Sequence, residues 1–454
     1  MRDLALVLGT LFYLPISLRL PAAGVLCWVW FSIMNPHRQV YGFAYGQPFN
    51  SLIAAATLFG WLVSREPKQW PRDATPWLML ALLGWMTLDT PLSPFPDYSW
   101  IFWDRTFRLF VMIFMVYFLC TTKARIHGMI WILIISLGFY GVKGGVFTLM
   151  NGGFAIVYGP ESSVYFDNNQ LALAVVTELP LVYYLAQQSR RWWLRVPAYI
   201  AMMLQVAMVF GSYSRGGVLA LGVMLGILWV RSHRKVLYAV VAVVAVVGGL
   251  SVMPDSFYER LDTLNNISSD GSFEGRLLAW QVAFHYAVDH FPFGAGFNGA
   301  QTPMIFHMYF PDEEQHAAHS IYFEILGDHG FAGLGLYLAI LLLALRNAGR
   351  IRKQTRGNAD LLWAYDLADM MRVSLISFYF GGAALSMAYS DVYLVLIALL
   401  ANLRVLTQPE TVTALARQRT ARFPGALRPA EEMPQGARSG ALPGPSMTPA
   451  EPRP

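Results

Sequence analysis

The chain has 454 residues, of which 56% are hydrophobic, 14% aromatic and only 13% charged, with a mean hydropathy of +0.43. An ordinary soluble domain carries about a quarter charged residues, so this composition excludes a disordered chain, a disulfide-stapled secreted module and a typical cytosolic enzyme. The net charge of +5, from 33 basic and 28 acidic residues, would suit a nucleic-acid ligand if it were clustered, but apolar runs recur along most of the chain, as in a polytopic membrane protein.

Taken in chain order, residues 3–34 are apolar but interrupted by Arg19 and Pro21, giving one long broken helix or two short ones, with a single crossing preferred. Arg2 is offset at once by Asp3 and no small-residue cleavage site follows, so the segment reads as an uncleaved anchor. Further stretches long enough to span hydrocarbon fall at about 50–64, 74–90, 101–120, 126–150, 170–187, 193–211, 216–231, 235–253, 319–345, 370–389 and 391–407. Cys27 and Cys120 lie in separate apolar segments and indicate no disulfide framework.

Basic connections (Arg65/Lys68/Arg72, Lys123/Arg125, Arg190/Arg191/Arg195, Arg231/Arg234/Lys235 and Arg346–Arg356) alternate with connections poor in Lys and Arg. Short cytoplasmic loops hold the excess of positive charge, so this alternation places the C-terminus inside. With one crossing before residue 35 it predicts an all-α polytopic membrane protein of about twelve transmembrane helices. The expected organisation is N-terminal transmembrane helices over 1–253, a large outside loop over 254–318, C-terminal transmembrane helices over 319–407 and a tail over 408–454. The tail holds nine of the 26 prolines, a composition that cannot bury a core and should be disordered and dispensable.

The outside loop carries nine acidic and two basic residues, a formal charge of −7. Within it, EGRLLAWQVAFHYAVD (274–289) places Leu277, Trp280, Phe284 and Val288 on one helical stripe that should lie against the membrane domain or its interface. Arg276 falls in the first turn of that helix. The following FPFGAGFNG breaks it through Pro292, Gly294, Gly296 and Gly299; such a turn either presents amides to an anion or simply reverses the chain.

Arg215, in SYSRGG, stands alone on the outside face at the mouth of a helix that opens with two glycines. Either it snorkels to lipid headgroups or its planar guanidinium clamps phosphate oxygens. His319 opens the helix after the loop, with Glu324 and Asp328 along it and His329 at a glycine break; an imidazole there is either a polar anchor or a proton acceptor in a group transfer. Asp312, Glu313, Glu314, His316 and His319 match no strict metal spacing, and a solvated acidic loop is the commoner arrangement, so no metal site is assigned. Lys143 and Glu178 are ionisable residues in apolar runs, with a structural pairing as the alternative to a role in the cavity. The polar stretch 159–170 caps a helix through Asp167, Asn168 or Asn169 and should line the same cavity, as should Asp391 at the last outside connection.

The isolated Arg of SRGG, the Arg of GRLLAW, the PFGAGFNG turn and the HS at a helix start, in that order among many membrane helices, resemble the O-antigen ligase/polymerase superfamily. The resemblance is greatest to the exosortase-associated O-glycosylation ligases, and includes GVKGGVF and YGP…FDNNQLAL in the first half. It implies a GT-C-type glycosyltransferase of the bacterial inner membrane, working on the periplasmic face without metal or other cofactor. The implied donor is a glycan on undecaprenyl diphosphate, and the acceptor is lipid A-core, a protein or the glycan itself. By position, Arg215 and Arg276 would bind the diphosphate and His319 would serve as base or acceptor-orienting group; Lys143, Asn169, Glu324 and Asp391 are expected, from their own placement in the sequence, to line the cavity. A polymerase of the same superfamily is the runner-up. A lipid-linked glycan transporter would be expected to show paired repeats, which are absent from the sequence, and a non-catalytic scaffold would be indifferent to His319. Membrane lipids, and no nucleic acid, are the other expected partners.

Overall fold

A computed structural model describes residues 1–66, 68, 70, 72–232 and 271–413, with scattered positions between 235 and 248. The expected crossing at 235–253, the start of the outside loop and most of the tail lie wholly or largely outside the described residues. Fourteen α-helices account for the fold of the described part: α1 (Arg2–Arg19), α2 (Pro21–Met34), α3 (Phe49–Val63), α4 (Thr75–Asp89), α5 (Pro96–Leu119), α6 (Lys123–Met150), α7 (Asn168–Gln188), α8 (Trp192–Gly211), α9 (Arg215–Arg231), α10 (Gly271–Asp289), α11 (Pro303–Tyr309), α12 (Ile321–Thr355), α13 (Leu362–Gly382) and α14 (Asp391–Leu406).

Residues 1–34 form two helices that break at Leu20, directly before Pro21. Proline at the first position of α2 costs that helix nothing, because the amide it lacks would have no partner there. Close approach is built on glycine. A Cβ on Gly145 of α6 would stand 2.0 Å from the Leu204 carbonyl of α8, and one on Gly60 of α3 would stand 2.5 Å from the Leu18 carbonyl of α1. Helices α7 and α14 are apolar on nearly every side and buried accordingly, from Leu171 to Val182 and from Asp391 to Leu403, as expected for helices at the centre of a bundle.

Among the described residues four helices are both long and apolar enough to cross a membrane: α6, α7, α8 and α12; α3 is apolar but shorter. The helices at the remaining expected crossings fall short for two physical reasons. Helices α2, α3, α4, α9 and α14 have 14 to 17 residues, about 21–26 Å at 1.5 Å per residue against a hydrocarbon core of about 30 Å. Helices α5 and α13 are long enough but carry Asp104, Arg105 and Arg108, and Asp366, Asp369 and Arg372, respectively. The run expected at 370–389 is shifted: α13 starts at Leu362 and stops at Gly382, and residues 383–390 form a turn. The basic residues Arg346–Lys353 belong to the last turns of α12 rather than to a loop.

The amphipathic helix of the loop exists as α10, but its packing face differs from the expected stripe. Leu277, Phe284 and Val288 stay largely exposed, Phe284 meeting Phe331 only edge-on, while Trp280 stacks on Phe323 at 4.9 Å. The buried face is the small-residue side, Gly275, Ala279, Val282, Ala283 and Ala287 with Tyr286. Small side chains allow α10 to approach α12 closely enough that a Cβ on Gly327 would sit 3.1 Å from the Ala283 Cβ, and close packing outweighs the larger apolar residues.

Candidate active site

The N-terminal ends of α7, α9, α12 and α14 meet at one end of the bundle, joined through the turn 383–390. Gln170 donates from Nε2 to the Ser386 carbonyl (3.0 Å), and the Ala388 amide donates to Glu324 Oε2 (3.0 Å). Gly216 of α9 faces Leu385 of the same turn, and a Cβ on Gly217 would meet the Ala172 Cβ of α7 at 2.7 Å. The two glycines after Arg215 therefore seat the start of α9 between α7 and the turn. Arg215 is the first residue of α9, exposed, and directly follows its cap, Ser214, whose hydroxyl accepts from the Gly217 amide at 3.0 Å.

His319 is built in the same way. It precedes Ser320, the N-cap residue of α12, as Tyr213 precedes Ser214, and both residues adopt left-handed backbone conformations, φ +42° and +57°. Such angles are uncommon for non-glycine residues and persist only where the surroundings fix them. Here the chain is pinned on both sides. The Ala318 carbonyl accepts from Trp280 Nε1 at 2.6 Å, and Ala318 and Ser320 are buried, while the residue between them is exposed.

The charges of Arg276, Asp167 and His316 reach the imidazole, and His316 lies against Gly275 at the start of α10. Partial desolvation lowers the His319 pKa below its ordinary value of 6.5; the nearby charges of Arg276 and His316 lower it further, and Asp167 opposes them. A neutral imidazole at neutral pH accepts a proton from a hydroxyl. Asp167 also has a backbone duty. As N-cap of α7 it accepts from the Asn169 and Gln170 amides at 2.9 and 3.3 Å, which satisfies two of the free donors at a helix start.

Of the residues singled out in the sequence, the structure brings Arg276 and His319 together and places Arg215 on the adjoining start of α9. Asn169 is half-buried in the first turn of α7, its side chain against Asn168. Glu324 and Asp391 are at this end but buried. Glu324 latches the 383–390 turn, and Asp391 accepts from the Ser32 hydroxyl (2.8 Å) and from Tyr165. Lys143 is elsewhere: it is exposed on α6 among Phe139, Val146 and Phe147, away from the face that packs on α7 and α8. Glu178 meets an amide, Gln205 Nε2 at 3.4 Å, rather than a cation. Among the described residues no three His, Cys, Asp or Glu side chains gather as a metal site, and Asp312, Glu313 and Glu314 are exposed.

The glycine-rich turn is a wedge rather than an anion cradle. Its amides are consumed inside the protein: Gly294 donates to Asp89 Oδ1 (3.3 Å), Ala295 and Gly296 to the carbonyls of Gly327 and Asp328 (2.8 and 2.9 Å), and Asn298 to Asp328 Oδ1 (2.9 Å). The wedge fits where α12 breaks at Gly330, φ +65°, whose missing Cβ would stand 2.3 Å from the Phe293 carbonyl. His329, fully buried, donates from Nδ1 to Asp89 Oδ2 (2.9 Å), its carbonyl accepts from Trp85 Nε1 (2.9 Å), and Tyr389 donates to Asp328 Oδ2 (2.8 Å). Sequence reasoning marked His329 only by its glycine and missed its pairing with Asp89, because 240 residues separate the two.

An all-helical membrane protein with a histidine and arginine held at the shared mouth of several helices is the class that fold and site define. Residues 200–338, which include Arg215, Arg276 and His319, match the O-Antigen ligase family, and residues 1–190 match a family of unknown function, DUF5935. The match over residues 200–338 supports the O-antigen ligase/polymerase superfamily for this part of the chain, and with it a membrane enzyme of ligase or polymerase type. A comparison with curated proteins finds no match.

Proposed function

We propose that the protein is a glycosyltransferase that moves a glycan from undecaprenyl diphosphate to an acceptor hydroxyl at the periplasmic face of the inner membrane. The observation that carries the reading is His319, exposed on a pinned backbone beside Arg276 and Asp167, within the O-Antigen ligase match. In the step, the acceptor oxygen attacks the anomeric carbon as His319 takes its proton. The bond from that carbon to the diphosphate oxygen breaks, and the lipid diphosphate leaves with the electron pair. Arg215 and Arg276 hold the diphosphate and stabilise the charge that develops on it, the role for which preorganised guanidinium groups are suited. No metal is required for this division of labour.

The same reading takes the chain as about twelve crossings of GT-C type with a periplasmic loop over 254–318 and a cytoplasmic tail from 408, related most closely to the exosortase-associated O-glycosylation ligases. Lipid A-core or a protein is the acceptor; if the growing glycan is the acceptor, the enzyme is a polymerase. Purified protein given undecaprenyl-diphosphate glycan and each acceptor in turn should yield a glycosylated acceptor by mass analysis. Recovery of unreacted donor from every mixture, with folded protein, would overturn the assignment, and glycan lengthened on its carrier would select the polymerase.

A further inference from the structure

Tyr158 and Phe166 take no part in the transfer step or in the helix core. Both side chains are about half open, 55% and 45% exposed, and their rings stack with centroids 6.0 Å and planes 25° apart. The loop that carries them is fixed along its length. The Gly159 amide donates to the Phe166 carbonyl at 3.0 Å, which sets residues 158 and 166 side by side. A Cβ on Gly159 would stand 1.8 Å from the Tyr165 carbonyl, so the two arms of the loop approach this closely only with glycine there. Between the arms' ends, buried Tyr165 donates to Asp391 and lies 3.2 Å from the Ser390 hydroxyl, which anchors the loop to the start of α14.

The same loop is stitched to the turn that carries Arg215. The Val157 amide donates to the Gly211 carbonyl (3.1 Å), Asn168 Nδ2 donates to the Ser212 carbonyl (2.6 Å), and the Tyr213 hydroxyl donates to the Gly153 carbonyl (2.6 Å). Tyr158 is thus the next residue after a bond to Gly211, and Phe166 is two residues before a bond to Ser212. Phe166 also directly precedes Asp167, the N-cap of α7. These bonds hold the aromatic pair at the rim of the mouth, on the side where α7 and α9 begin.

A pyranose ring offers C–H groups of slight positive charge on its faces and hydroxyls around its edge. The face of an aromatic ring is negative, so a sugar lies flat on an exposed aromatic side chain while polar neighbours take its hydroxyls. This segment supplies both. Glu161 and Ser162 are exposed in the same loop, and Asn169 stands half-buried in the first turn of α7. A hydrocarbon chain would use the rings but has no use for these polar neighbours. Resting on the function proposed above, we infer that Tyr158 and Phe166 form a sugar-binding platform that holds a pyranose ring of a glycan substrate on the Arg215 side of the mouth. Donor glycan and acceptor glycan present the same chemistry, and the test separates them. It also separates both from the residence of aromatic side chains at a membrane–water interface.

The experiment measures binding to full-length protein in nanodiscs of undecaprenyl diphosphate carrying a defined glycan, of bare undecaprenyl diphosphate, and of a lipid A-core oligosaccharide. Tyr158→Ala and Phe166→Ala should each weaken binding of the glycan-bearing lipid by about threefold to tenfold, the scale of one aromatic-face contact, and leave the bare carrier unchanged. Phe166→Leu should lose as much as Phe166→Ala, because it keeps apolar bulk without a ring, and Phe166→Tyr should bind as wild type does. The Leu variant keeps the test open if the Ala variant does not fold. A loss seen with the oligosaccharide rather than the glycan-bearing lipid assigns the platform to the acceptor sugar. Equal losses for glycan-bearing and bare carrier overturn the inference and return the rings to the lipid interface. Unchanged affinity for both glycan probes in folded variants overturns it as well. Wild-type protein that binds none of the three probes overturns the proposed function itself, whereas wild-type binding indifferent to both rings overturns only this inference.

Discussion

The two ends of the helix bundle handle charge in opposite ways. At the end where α4 begins and α12 and α14 finish, cations and carboxylates neutralise one another. Arg404 meets Asp73 at 2.8 Å with Asn347 between them, Arg231 and Arg352 share Asp369 at 2.6 and 3.0 Å, and Arg125 grips Glu66. At the His319 end the buried carboxylates are quieted by neutral donors or an imidazole: Asp391 by Ser32 and Tyr165, Glu324 by a backbone amide, Asp328 by Tyr389 and Asn298, Asp89 by Gly294 and His329. None of these four meets an arginine or lysine within salt-bridge distance among the described residues. A bundle end that only needs to hold together pairs its charges. On the function proposed above, an end that receives an anion profits from buried acids already satisfied by neutral donors.

This contrast can be broken most severely at His319. His319→Ala should lower transfer by about 10²–10⁴-fold, the usual worth of general acid–base catalysis, with helical content and melting unchanged. Wild-type turnover by that variant would remove the catalytic role from this end. Next in size, Arg215→Lys and Arg276→Lys should each slow transfer by about tenfold or more, because a lysine cannot pair bidentately with phosphate; steady-state kinetics with defined donor would show it. Full activity in both would return these arginines to lipid anchoring.

His329→Ala leaves Asp89 buried without its imidazole and should cost about 3–5 kcal/mol of stability, read as an earlier thermal unfolding in detergent. Arg404→Ala at the opposite end should cost about 2–3 kcal/mol, the scale of a hydrogen bond to a charged group, yet leave turnover per folded molecule as in wild type. A fall in turnover at that end, measured against active protein, would erase the distinction between the two ends. The smallest effect concerns pH. Because desolvation and neighbouring positive charge lower the His319 pKa below 6.5, the base-competent neutral form persists into mildly acidic conditions. Transfer should therefore still exceed half its plateau at pH 6.5 and fall as pH drops through the lowered pKa; a profile already halved above pH 6.5 would contradict the environment of the imidazole.

Much of this was legible before any coordinates. Apolar runs located α3 to α9 and α14 closely, since a helix that packs among helices needs a long apolar stretch regardless of its neighbours. The oddity of Arg215, Arg276 and His319 was legible too, because scarce charge in an apolar chain stands out. A cap at Asp167, Asn168 or Asn169 was readable, for a side-chain oxygen at a helix start acts on amides two and three residues away, and Asp167 is the one that does so. Its approach to His319 was not, since that depends on how α7 sits beside α12.

What the sequence determined by itself was local or cumulative: helix, cap, break and the overall lack of charge, each set by neighbours in the chain or by composition. Only the tertiary structure decided which face of α10 is buried, that the glycine turn spends its amides on Asp89 and α12, that Lys143 points away from the mouth, and that Asp391 joins Tyr165 and Ser32. These are contacts between residues tens to hundreds of positions apart, and they follow from which helices pack together. The side-chain period of a single helix shows that it has a face, but the partner that covers that face is chosen by the rest of the bundle.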